Sequence, residues 1–132
     1  MSNVEEKKEE KSVKPLELKD ISQLGYIKKT KEILTGVVVS LQTLSAARQH
    51  KILSTLPASE NVDAIAKYTQ LQVETLAYAT VAINDAVYTE ADVDTLRKFY
   101  AGLQTRVLRE FYGFYMELVT DQDLVLTGLK KT

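Results

Sequence analysis

The chain has 132 residues, of which 45% are hydrophobic and 27% charged, and its net charge is −1. These values are typical of a single globular domain with one modest core. The lack of cysteine excludes disulfides and thiolate chemistry, and a single histidine excludes a multi-histidine metal site. The near-neutral charge argues against a nucleic-acid partner bound by bulk electrostatics.

The sequence predicts no membrane contact. Its longest stretch without a charged residue, residues 33–47, has 15 residues, whereas a membrane-spanning helix needs about 20. Residues 1–14 contain four Glu and four Lys rather than the apolar run of a signal peptide. We therefore expect a cytoplasmic protein with a disordered charged tail over residues 1–15 and a single helical domain over residues 16–132.

A β-hairpin is expected at about residues 26–43. Val37, Val39 and Leu41 alternate with Val38, Ser40 and Gln42, and the run of β-branched valines favours a strand. The preceding Thr35-Gly36 pair supplies a turn in which glycine adopts a positive φ. Lysines in the first strand are typical of an edge strand that is protected from pairing with other chains. The alternative is a helix over residues 19–34.

Helices are predicted for most of the remaining chain. Ser45 is expected to cap a short helix that Pro57 ends, and Ser59 to cap the next one. Residues 62–83 repeat with helical period and are apolar nearly all round, which indicates a central helix buried on several sides. Its inward face is expected to include Ile65 and Ile83.

The C-terminal part reads as a helix pair. Thr89 and Asp92 form a capping-box pattern, Gly102 suggests a break, and a last helix follows. Leu108, Phe111, Tyr115 and Leu118 are expected to point inward. The predicted fold class is therefore mainly α (α+β), an N-terminal hairpin followed by a compact bundle of about four helices.

Candidate catalytic and metal-binding residues are few. His50 has no neighbouring nucleophile, and Asp121 and Asp123 do not share a helix face. Glu74 lies within an apolar helix and has three readings: an acid or base of raised pKa, a partner of Arg97 or another late arginine, or an exposed side chain, which the pattern favours. We predict no catalytic residue, no cofactor and no metal.

Aromatic residues concentrate near the C-terminal helix pair, which holds six of the ten: Phe99, Tyr100, Phe111, Tyr112, Phe114 and Tyr115. They exceed what one helix face can hide, so they are either a core between two layers or partly a protein interface. If a partner uses this surface, Tyr112 and Phe114 flank the inward stripe and are its predicted contacts.

The order of elements resembles the tail and baseplate-hub assembly chaperones of tailed bacteriophages. Three patterns carry the resemblance, covering roughly residues 30–120. They are a hairpin leading into a helix (LTGVVVSLQTLSAARQHKIL), an Ala-rich helix closing in an Ile-Asn turn (YTQLQVETLAYATVAIND), and a helix pair (LRKFYAGLQTRVLREFYGFYMEL).

This resemblance implies a non-enzymatic protein that covers tape-measure, tail-tube or baseplate-hub components in the host cytoplasm until the virion tail is built. The alternative is a structural adaptor retained in the phage tail or baseplate, or in another large assembly. A small regulator or an enzyme is the remaining option. Segregation of basic and acidic segments along the chain is also compatible with a homo-oligomer.

Overall fold

The computed structural model describes residues 14–56 and 63–131. Most of the expected tail, residues 1–13, lies outside the described residues, and residues 14–17 are neither helix nor strand. Pro57 and Ser59, the predicted end and start of two helices, also lie outside them. The first residue described after that gap, Asp63, caps the following helix by accepting a hydrogen bond from the Ile65 amide at 3.3 Å.

The described residues form helices on a small antiparallel sheet. In chain order the elements are α1 (Leu18–Ile21), β1 (Lys28–Leu34), β2 (Val37–Gln42), α2 (Ala46–Thr55), α3 (Ala64–Ala79), β3 (Thr80–Ile83), β4 (Ala86–Val87), a 3-10 turn (Glu90–Asp92), α4 (Val93–Ala101) and α5 (Thr105–Leu129). The sheet has the order β1-β2-β3-β4. The fold is thus mixed α/β, and the expected bundle is corrected to helices packed on a four-stranded sheet.

The N-terminal hairpin is confirmed. β1 and β2 pair antiparallel, and Gly36 in the turn has a φ of +82°, a conformation that costs glycine little. Val39 and Leu41 are fully buried while Val38 is exposed, so the period-2 pattern reports burial on one face. The alternative helix over residues 19–34 is wrong, because α1 ends at Ile21.

The central helix ends earlier than its apolar pattern predicted. α3 stops at Ala79, and Thr80–Ile83 continues as β3, which pairs with β2. β-Branched residues dominate this segment, and the free side of β2 offers them a ladder of backbone hydrogen bonds. The predicted inward position of Ile83 is therefore on a strand, where it packs against the core.

The middle of α3 is the buried centre of the domain. Residues 72–77 are all buried, and Leu76 is fully so, which confirms a central helix. Its first turn departs from the expectation, since Ile65 is 74% exposed. α3 packs against α2, α4 and α5, while α5 also lies against β1 and β2. The hydrophobic core therefore lies between α3, α4, α5 and one face of the sheet.

Three local predictions at element ends are confirmed. The Ser45 hydroxyl accepts a hydrogen bond from the Arg48 amide at 3.3 Å. The Asp92 carboxylate accepts one from the Thr89 amide at 2.8 Å. α4 ends at Ala101 with Gly102 after it. The first two are contacts between residues three apart in sequence, as capping contacts are.

Candidate protein-interaction site

Most of the aromatic concentration belongs to the core. Tyr100, Phe111, Phe114 and Tyr115 are at most 6% exposed. The rings of Tyr100 and Phe111 meet edge to face with centroids 5.2 Å apart, a favourable arrangement of aromatic quadrupoles. The aromatic residues of the helix pair therefore mainly join α4 to α5.

Phe114 is buried, which corrects the expectation that it flanks the inward stripe on an accessible side. It is 2% exposed, and the Lys31 ammonium of β1 lies 5.8 Å from its ring centroid. The sheet covers a side of α5 that helical spacing alone left open. Phe114 therefore offers almost no accessible surface to a partner in this conformation.

Tyr112, the other predicted contact, lies at an open groove. Its ring packs against Tyr68 of α3, with centroids 6.2 Å apart, and against Tyr115, at 5.9 Å. It is half-buried, and this burial raises its pKa, as it raises that of Tyr115 to about 12.

The groove beside Tyr112, here called the tyrosine groove, lies between α2, α3 and α5. It is a cavity of about 190 Å³ lined by Leu44, Gln49, Ile52, Leu53, Leu71, Thr75, Tyr112 and Tyr115. Leu53 is 63% exposed on the α2 side, and Tyr68, which contacts Tyr112, is 55% exposed on the α3 side. Large apolar side chains thus stand in solvent around a depression whose lining is both polar and apolar, and such exposed apolar surface is typical of protein-binding sites.

Of the three interpretations of Glu74, the favoured one, an exposed side chain, is wrong. Glu74 is 2% exposed, and Arg97 of α4 donates to both of its carboxylate oxygens, from Nε at 2.5 Å and from Nη2 at 2.9 Å. The Thr55 hydroxyl at the end of α2 is 3.3 Å from Oε1. The predicted ion pair with Arg97 is confirmed. Its hydrogen bonds to Glu74 raise the pKa of Arg97 above the ordinary value.

This ion pair borders a second cavity of about 530 Å³ between α3, α4 and the start of α5. Glu74 directs both carboxylate oxygens to Arg97, so the pair is a structural link between the helices rather than an unengaged acid or base. Among the described residues, no buried side-chain nitrogen or oxygen is left without a hydrogen-bond partner. The buried polar atoms around this cavity are therefore already paired within the protein.

The other candidate residues have ordinary surroundings. His50 is exposed on α2. Asp121 lies on α5, where it forms an ion pair with Lys29 of β1, and Asp123 is exposed. Within residues 14–56 and 63–131, no group of three or more His, Cys, Asp and Glu side chains is placed to hold a metal ion. In the same ranges no helix is long and apolar enough to cross a membrane.

No family model, no curated protein and no solved structure matches this chain. The resemblance to phage assembly chaperones therefore depends on the residue patterns themselves. In the described part of the chain, the tyrosine groove combines a depression with exposed apolar side chains, which suits binding of another protein.

Proposed function

We propose that this chain is a non-enzymatic assembly chaperone of a bacteriophage tail or baseplate. In this proposal it binds an amphipathic helix of a tape-measure or hub component in the tyrosine groove. The observation that carries the proposal is the half-open groove at Tyr112, with apolar side chains exposed on two sides. The three residue patterns of the chaperone resemblance supply the phage context.

The chemistry of the groove suits a helical apolar partner. Tyr112 and Tyr68 offer large, rigid contact areas at small cost in side-chain entropy, and their hydroxyls remain able to donate hydrogen bonds at the rim. Leu53 of α2 and Leu71 of α3 add aliphatic surface. An amphipathic helix would bury its apolar side chains here and leave its polar face in water.

The test is binding to the tape-measure and hub proteins of the same phage and to peptides spanning their predicted amphipathic helices. Tyr112→Ala should weaken binding by about 2 kcal/mol, roughly 30-fold in Kd, as loss of a central interface aromatic does. Leu124→Ala is the matched control, because Leu124 is on the same helix, is 68% exposed and does not line the groove.

Equal binding by the wild type and Tyr112→Ala, with Leu124→Ala unchanged, would contradict use of the groove. The fate of the protein distinguishes a chaperone from the structural adaptor. Mass spectrometry of purified particles should find no copy of a chaperone, which acts only in the host cytoplasm. An adaptor would be present in the tail or baseplate at a fixed copy number.

A further inference from the structure

β1 is the long edge strand of the sheet. Within residues 14–56 and 63–131, no strand pairs with its outer side. β1 has seven residues, whereas β4 at the opposite edge has two. A strand of that length presents a row of backbone N–H and C=O groups to which another strand can add.

The backbone groups that point outward can be identified from the start of the hairpin. The Thr43 amide donates to the Ile27 carbonyl at 2.9 Å, and the Ile27 amide donates to the Thr43 hydroxyl at 3.0 Å. Ile27 thus turns both backbone groups toward the β2 side. In an antiparallel strand the backbone groups of alternate residues point to the same side. Those of Lys29 and Lys31 therefore point toward β2, as those of Ile27 do. The backbone N–H and C=O groups of Lys28, Thr30 and Glu32 point to the free edge. The register is regular over this stretch.

The outward residues are complementary to themselves. If a second copy pairs antiparallel with its Thr30 opposite Thr30 of the first, Lys28 of each copy lies opposite Glu32 of the other. In this register every residue with outward backbone N–H and C=O groups lies opposite another such residue, so the two strands can form backbone hydrogen bonds. One face of the new ladder then carries two Lys–Glu pairs around a Thr–Thr pair, both favourable across strands.

The lysines on the other face are already neutralised. In this register Lys29 of one copy lies opposite Lys31 of the other. Within each chain, however, Lys29 forms an ion pair with Asp121 and Lys31 with Glu117, the latter at 2.9 Å. The carboxylates of α5 thus offset the charge that the sequence alone presents as a guard against edge pairing.

We infer that β1 is the docking surface for a second copy of this chain, which pairs antiparallel about Thr30 and joins the two sheets into one of eight strands. The same patch is used by both copies, as in twofold-symmetric dimers. A foreign acidic strand would suit Lys28 but would repel Glu32, whereas a second copy satisfies both. This interface is separate from the tyrosine groove and does not depend on the proposed function.

Cysteine cross-linking tests the register directly, because the chain has no cysteine of its own. Residues opposite each other in a hydrogen-bonded antiparallel pair have Cα atoms about 5.5 Å apart, within the range of a disulfide. Thr30→Cys should therefore form a disulfide-linked dimer under mild oxidation. Lys28→Cys is the control, since four residues of stagger separate its two copies by roughly 13 Å.

Sedimentation over concentrations from about 10 μM to about 500 μM tests the charge complementarity, because an interface this small should be weak. Lys28→Glu and Glu32→Lys should each raise the dimer Kd by at least about tenfold, since each places two like-charged pairs across the ladder. The double swap Lys28→Glu/Glu32→Lys should restore it. Thermal melts establish that every variant is folded.

A wild-type chain that stays monomeric throughout this range overturns the inference. So does a dimer whose Kd neither single charge variant changes, since that dimer uses another surface. Equal cross-linking of Thr30→Cys and Lys28→Cys would also overturn the proposed register.

Discussion

Arg97 of α4 holds the buried carboxylate of Glu74 on α3 through two hydrogen bonds, of 2.5 and 2.9 Å. The same guanidinium also pairs with Asp94 one turn earlier on its own helix. Because α2 reaches Glu74 through Thr55, this carboxylate is a common point of three helices. Its pairing with Arg97 explains why an ionisable residue is tolerated in the most buried helix.

Removing Arg97 should therefore destabilise the fold. Arg97→Ala leaves the Glu74 carboxylate buried without its cation, and breaking a buried pair in this way costs roughly 3–5 kcal/mol. The Arg97 side chain is 32% exposed, so we expect the low end, about 3 kcal/mol, in urea denaturation. Asp94→Ala, which removes the 86% exposed partner, should cost under about 1 kcal/mol. Equal losses for the two variants would contradict the assigned difference.

The two aromatic residues predicted as partner contacts should behave differently on truncation. Phe114→Ala removes a 2% exposed ring from the core and should lower the free energy of unfolding by about 3–5 kcal/mol. Tyr112→Ala empties a half-open groove and should cost less than half of that. Chemical denaturation of both variants measures the difference, and a larger loss for Tyr112→Ala would show that the groove is closed in solution.

Asn84 has a conformation that few side chains tolerate. Its φ is +53°. Its side-chain Oδ1 accepts a hydrogen bond from the Val38 backbone amide at 2.9 Å, and its backbone amide donates to the Val38 carbonyl at 2.7 Å. Asn84→Ala should cost about 1–2 kcal/mol, because alanine is strained there and provides no acceptor.

Asn84→Asp keeps an acceptor and tolerates the left-handed region, so it should remain within about 1 kcal/mol of the wild type. Thermal melts of the two variants make the comparison. If the alanine and aspartate variants proved equally stable, the hydrogen bond from the Val38 amide to the side chain at position 84 would contribute nothing measurable.

Stability should fall at alkaline pH. Burial raises the pKa of Tyr115 from its ordinary value of 10.0 to about 12. The folded state then binds more protons than the unfolded state between these values, so the free energy of unfolding is unaffected below about pH 10 and decreases as pH rises toward 12. A shift of this size amounts to roughly 3 kcal/mol.

Tyr115→Phe should remove part of this alkaline loss while leaving stability at pH 7 nearly unchanged. Tyr100 changes in the same direction, because its pKa is also raised by burial, so some pH dependence remains in the variant. Urea denaturation at several pH values measures the slope. An identical slope in the wild type and Tyr115→Phe would contradict the raised pKa of Tyr115.

Sequence reasoning succeeded where the decisive contacts are local. The alternation of Val39 and Leu41 with less buried neighbours, together with a glycine at the turn, predicts the hairpin because a strand with one buried face needs that period. Ser45 and the Thr89–Asp92 pair predict helix starts because capping contacts span only three residues. For the candidate site, the sequence identified Tyr112 as an aromatic at the margin of an inward stripe.

What depended on distant parts of the chain was decided by the tertiary structure. Ala79 ends α3 because β2, nearly forty residues earlier, offers its edge to Thr80–Ile83, and backbone hydrogen bonding then favours a strand. Phe114 is buried because β1 lies over α5. Glu74 is buried because Arg97 from another helix neutralises it. Side-chain periodicity determined which residues share a face, and only the packing of elements far apart in sequence determined which faces are covered.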